Sequence, residues 1–116
     1  MPRMLVVSPD PQTARMLSLA FELEGWETDS SADMPEGGSG ALDVIVYDFV
    51  EGGRLLKETA SKLADMGGKG TKRIALLPRG LRRDKAAKHL GFADLIVARP
   101  FKLTRLVQQI RELARR

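Results

Sequence analysis

The 116-residue chain has no cysteine and a single histidine, His89. Without thiols there is no disulfide framework, no thiolate nucleophile and no cysteine-based zinc site, and one imidazole excludes a histidine-rich metal centre. Aromatic residues are scarce, with 4 Phe, 1 Trp and 1 Tyr, and none is interleaved with basic residues in the manner of a base-stacking surface. No apolar run approaches the roughly 18 residues of a membrane span. Met1-Pro2-Arg3 leads straight into a short strand-like run and not into the apolar core of a secretory signal. The expectation is one soluble, cytoplasmic domain over residues 1–116. What the chain does have, 43% hydrophobic and 29% charged residues, is the balance of a globular protein. Its length suits one core, since chains divide only well above about 200 residues.

The formal net charge of +4 conceals a strong asymmetry. Residues 1–66 carry 5 Lys/Arg against 12 Asp/Glu, a net of −7, whereas residues 67–116 carry 14 against 3, a net of +11. A basic half of this kind predicts a face that meets an anion, whether nucleotide, nucleic acid or acidic protein surface. Solvation of two helices by Lys and Arg is the plainer alternative.

Periodicity divides the chain into alternating strands and helices. Met4-Leu5-Val6-Val7 reads as a buried strand ended by Ser8-Pro9-Asp10-Pro11, and Asp followed by Pro is a good helix start. Met16, Leu17, Ala20 and Phe21 continue at helical spacing until Gly25. A short polar strand follows at 26–30. The stretch 31–42, with one Pro and three Gly, reads as loop or a weak turn of helix. Asp43 to Tyr47 is the most β-prone run and delivers Asp48 to its C-terminal end, where open α/β sheets bind ligands. Leu55 to Met66 predicts a second amphipathic helix, Arg73 to Leu77 a strand, 81–90 a basic helix closed by Gly91, and Leu95 to Ala98 the last strand. The final helix places Leu103, Leu106, Val107, Ile110 and Leu113 on one face. Such alternation predicts a parallel sheet with helices on both sides and right-handed crossovers.

These pieces together resemble the CheY-like receiver domains of bacterial response regulators, over essentially the whole chain. The resemblance rests on Met4-Leu5-Val6-Val7, Glu24-Gly25-Trp26, Asp43-Val44-Ile45-Val46-Tyr47-Asp48, Arg73-Ile74-Ala75-Leu76-Leu77, Gly91-Phe92-Ala93-Asp94, and Arg99-Pro100-Phe101 where the family has Lys-Pro-Phe. It implies a flavodoxin-like, doubly wound α/β fold with five parallel strands in the order 2-1-3-4-5 and a shortened or irregular second helix.

The departures from the family point to a degenerate receiver, a pseudo-receiver. Phosphorylation of a receiver aspartate needs Mg²⁺, which the family holds with a pair of acids after the first strand. Here those positions read Ser8 and Pro9, and the hydroxyl residue after the fourth strand is Pro78. Arg99 keeps the charge of the family's lysine with a planar fork in place of an ammonium. The aromatic of the fifth strand is absent, its place taken by Leu95 or Ile96. Asp48 is therefore expected to be a degenerate phosphoacceptor position, paired with Arg99 or capping a loop. No catalytic residue, metal or required cofactor is expected.

In place of phosphorylation, the basic residues Arg79, Arg82, Arg83, Arg99 and Lys102 are the candidate anion site. Some CheY-like proteins bind cyclic di-GMP through arginines in this region, and Pro78-Arg79-Gly80-Leu81-Arg82-Arg83 resembles such a stretch. The resemblance thus implies a non-enzymatic, phosphorylation-independent signalling module. It would bind a protein partner (a kinase, regulator or motor component) and a cyclic dinucleotide on the basic helix, last strand and last helix. A conventional phosphoacceptor receiver using Asp48 and a purely structural homodimerisation domain are the alternatives. DNA binding is not expected, since there is no helix-turn-helix pattern or basic arm. A Rossmann nucleotide site is weaker still, because the first βα turn has no glycine to let a pyrophosphate approach.

Overall fold

The structure, a computed structural model, describes residues 2–33, 41–49, 54–68 and 70–115. Five parallel strands, β1 (Arg3–Val7), β2 (Glu27–Ser31), β3 (Val44–Asp48), β4 (Lys72–Leu76) and β5 (Leu95–Val97), form one sheet in the order β2-β1-β3-β4-β5. This is the order the resemblance implied. β1 and β3 lie inside the sheet, and their continuous apolar runs follow from burial on both faces: Val6, Val7, Val44, Ile45 and Val46 are completely buried. β2, at the edge, reads Glu-Thr-Asp-Ser-Ser and keeps Glu27, Asp29 and Ser30 in solvent with Thr28 and Ser31 half-buried, a polar strand of the kind that guards an edge.

Helices cover both sides of the sheet. α1 (Pro11–Glu22) and α4 (Leu103–Ala114) pack Leu17, Phe21, Leu106 and Ile110 against Met4, Val6, Val44, Val46, Ile74 and Leu76. α2 (Arg54–Asp65) and α3 (Arg83–Ala86) bring Leu63 and Ala86 to the opposite face, against Leu5, Val7, Ile45, Ala75 and Leu77. Trp26 and Phe21 meet edge to face, ring centres 5.2 Å apart, on the α1 side. No described helix is long and apolar enough to cross a membrane.

The ends of the helices have local causes. Asp10 caps α1 by accepting from the Gln12 N–H at 3.1 Å, with Pro11 in the first turn. The helix stops where Gly25 takes φ 88°. α2 ends before Gly67, at φ 76°, where an added Cβ would fall 2.8 Å from the Thr71 side chain. The Arg73 guanidinium reaches back to cap α2, donating to the carbonyls of Leu63 (3.1 Å), Thr71 (3.3 Å) and Met66.

Two expectations need comment. The basic helix predicted over 81–90 is helical only at Arg83–Ala86, followed by turns. Ala86 and Leu90 are both fully buried, so the i, i+4 spacing that suggested a helix is genuine. However, Arg82 offers no side-chain cap, and a helix this short is marginal without one, so the chain leaves it for turns after Ala86. The irregular stretch at 31–42 falls, from 34 to 40, outside the described residues.

Candidate functional site

Because all five strands run in parallel, the segments that follow them gather at one end of the sheet. β3 ends in Asp48, β1 runs into Ser8, β4 into Leu77, and β5 into Arg99. Asp48 is 1% exposed and Ser8 3%. Each oxygen of the carboxylate has one partner. Arg99 Nη1 lies 2.7 Å from Oδ1 as an ion pair without hydrogen-bond geometry, its N–H donating instead to the Leu77 carbonyl at 3.0 Å, while Ser8 Oγ donates to Oδ2 at 2.8 Å. The Arg99 side chain is 21% exposed, so the pair sits at the mouth of a buried pocket with its acid inward. Short charge-assisted contacts of this type are what make burial of a carboxylate tolerable. Arg99 also places its guanidinium carbon 5.7 Å from the Phe101 ring centre.

Ser8 links this pocket to the first turn of α1, since its Oγ accepts from the Asp10 N–H at 3.1 Å. Asp10, the acid nearest the family's metal-binding pair, is committed elsewhere. Thr13 Oγ1 donates to it at 2.7 Å, and Gln12 N–H caps the other oxygen. The Thr13 hydroxyl, with the Gln12 amide second, holds its carboxyl below the ordinary 3.8. The donor set around Asp48 therefore comprises one carboxylate already paired with a cation, a hydroxyl and Pro9. Mg²⁺ seeks more than one charged oxygen ligand in an octahedral shell, so these residues do not fit the ion. Among the described residues, no three His, Cys, Asp or Glu side chains come together as a metal site. Beside Asp48 on β3, burial pushes the Tyr47 hydroxyl above 10.0, with the Thr59 side chain opposing the shift.

The other predicted residues separate into distinct places. Arg79 is exposed beyond β4. Arg82 is exposed and pairs with Asp84 at 3.2 Å, a solvated contact worth little. Arg83 and Lys102 do come together. With Arg105 and Gln109 they line a groove of about 310 Å³ between α3 and α4, its apolar wall made by Val97, Ala98, Pro100, Phe101 and Leu106. Arg99 faces Asp48, so the five sequence candidates divide between this groove, the carboxylate pocket and open solvent.

Arg105 and Gln109 are the polar groove residues outside the five sequence candidates. Lys102, Arg105 and Gln109 recur at i, i+3 and i+7, the spacing of one helix face, and that was the signal available in the sequence. In the sequence Ser8 stands out only as a missing acid. Its alignment across the sheet with Asp48 depends on the register Val7↔Tyr47, which the sequence does not display.

A five-stranded parallel sheet in this order, with an acid closing β3 and a cation after β5, defines the class: a CheY-like receiver-domain fold of the kind found in response regulators. Solved structures bear this out. A response regulator from Thermotoga maritima superposes with a TM-score of 0.79 at 16% identity, covering 100% of this chain and 99% of that one. The response regulator TrrA of the same organism, in complex with Mg²⁺ and beryllofluoride, is similar at 27% identity and TM-score 0.69, covering 97% and 99%. The chemotaxis protein CheY4 of Vibrio cholerae is similar at 21% identity and TM-score 0.69, covering 97% and 98%. No family model and no curated protein matches the chain.

Proposed function

We propose that this protein is a receiver-like signalling module of the bacterial cytoplasm that operates without phosphorylation of Asp48. On this reading it is not an enzyme. It docks a protein partner on the face formed by α3, β5 and α4, and a cyclic dinucleotide such as cyclic di-GMP binds on the same basic face.

The observation that carries the reading is the engagement of Asp48. Its oxygens are held by Arg99 at 2.7 Å and Ser8 at 2.8 Å, and Ser8-Pro9 supplies no charge where a metal would need it. Attack on a phosphoryl donor would require the carboxylate to leave its cation, with no second anionic ligand to recruit a replacement. Pro78 supplies no hydroxyl to the phosphoryl group either. The cyclic dinucleotide is supported by the three cations around the groove, two of them guanidiniums suited to bidentate phosphate contact.

Incubation with acetyl phosphate and Mg²⁺, followed by intact-mass measurement, tests the first part. We expect no adduct, and no shift of the Asp48 region when beryllofluoride is titrated by NMR. An adduct that disappears in Asp48→Asn would establish a conventional phosphoacceptor instead. Calorimetry with cyclic di-GMP at two ionic strengths tests the second, the expected affinity falling as salt screens the contacts. No heat at either salt concentration would leave protein docking as the role of the face.

A further inference from the structure

The basic face is not uniform, and its one concave part has a definite chemistry. We infer that the groove between α3 and α4 is a nucleotide site holding one nucleotide unit at a time, with Arg83, Lys102 and Arg105 taking the phosphate and Pro100 and Phe101 forming the wall against which the base lies. This inference rests on the nucleotide part of the reading above and specifies where and how the ligand is held.

The argument starts from charge. Three cations line the groove and no carboxylate does, so an occupant with a full negative charge or more is favoured. Arg83 and Arg105 are planar forks on two different elements, with the Lys102 ammonium between them in sequence. Such a set can surround a phosphate from several sides, whereas a single carboxylate uses one fork. The start of α4 adds to this, because Lys102 provides no side-chain cap and the first turn has no acid, leaving positive partial charge there uncompensated.

Shape then narrows the class. At about 310 Å³ the groove stands at the lower end of the 300–1,000 Å³ range of small-molecule sites, room for one nucleotide and not two. Its wall is apolar, offering a planar ring a surface to cover. Gln109 contributes an amide that both donates and accepts, as the edge of a base requires. A cyclic dinucleotide would seat one of its two halves here and leave the other over the rim. Arg79, Arg82 and Arg99 are not part of the site: the first is exposed outside the groove, the second faces Asp84 and the third faces Asp48.

The test is an NMR titration of the full chain with 5′-GMP, cyclic di-GMP and inorganic phosphate, repeated on single alanine variants whose folding is checked by thermal unfolding. Both nucleotides should shift the amides of Arg83, Phe101, Lys102, Arg105 and Gln109. Arg83→Ala, Lys102→Ala and Arg105→Ala should each weaken cyclic di-GMP by about tenfold, the scale of a lost charged hydrogen bond. Arg79→Ala and Arg82→Ala should bind as the unaltered chain does. Binding lost in Arg79→Ala or Arg82→Ala, but kept in the three groove variants, would overturn this site while leaving nucleotide binding in place. Inorganic phosphate binding as tightly as 5′-GMP would overturn the role of the wall. If neither nucleotide binds, the nucleotide part of the wider reading falls, and this site with it.

Discussion

Removing Arg99 should expose how much of the fold depends on the Asp48 pocket. In Arg99→Ala the carboxylate, 1% exposed, keeps only the Ser8 hydroxyl at 2.8 Å. Breaking a buried pair from one side typically costs about 3–5 kcal/mol. Arg99 is 21% exposed and water can enter as it leaves, so the lower end applies, about 3 kcal/mol. Asp48→Asn is milder. It removes the charge without the volume, and Arg99 retains the Leu77 carbonyl at 3.0 Å, for a cost of about 1–2 kcal/mol. The double variant buries no unpaired charge, so its cost should fall short of the sum of the two by about 1–3 kcal/mol. Urea unfolding followed by far-UV circular dichroism, with m-values compared across the cycle, measures all three. A cost for Arg99→Ala below about 1 kcal/mol, the range of exposed pairs, together with additivity in the double variant, would refute the claim that this pair is buried and coupled.

Three further outcomes follow from other parts of the molecule. Tyr47 is the chain's only tyrosine, so ultraviolet difference titration should give one transition, centred above 10.0; its neutral form is favoured by folding, and the associated stability is intact below 10.0 and lost as pH rises through the folded value. Asp10 has the opposite sign: its folded carboxyl lies below 3.8, so its contribution is present above 3.8 and lost as pH falls through the lower folded value, and in Thr13→Val a carboxyl-detected NMR titration should show it move upward. Ile110→Ala, at a fully buried position of α4, should cost about 2–5 kcal/mol, while Arg82→Glu with Arg83→Glu, both exposed, should change stability by about 0.5 kcal/mol per site or less; thermal unfolding of the two compares a packing position with a surface one.

The elements most legible in the sequence were those whose burial leaves a one-dimensional trace. β1 and β3 hold continuous apolar runs, and β4 ends in one over 74–76, because helices cover both faces there, and α4 repeats its apolar residues at helical spacing because one side packs on the sheet. The strand order followed from the family resemblance. By contrast, the length of α3 depends on a cap and on helix cooperativity, neither of which the spacing of Ala86 and Leu90 reveals. The pairing of Asp48 with Arg99 is one of the two options its sequence context allows, decided by the three-dimensional meeting of the chain after β5 with the end of β3. Arg79, Arg82 and Arg83 are near neighbours in sequence, yet only Arg83 lines the groove, because Arg79 lies in the turn after β4 and Arg82 is still extended where α3 begins.

α3 is four residues long, held by the Ala86 N–H to the Arg82 carbonyl at 3.1 Å, the Ala87 N–H to the Arg83 carbonyl at 2.8 Å and the Leu90 N–H to the Ala86 carbonyl at 3.0 Å. Opening it disturbs few bonds and leaves the sheet intact, so in deuterated water these amides should exchange through a local fluctuation well below the global unfolding free energy. The amides in the middle of α4, above Leu106 and Ile110, should wait for that global event. A ligand that grips Arg83 on the loose segment and Arg105 on the firm one therefore ties the first to the second. Its binding would register chiefly as slowed deuterium uptake at 86–90, with part of its contact energy offset by the ordering of that turn.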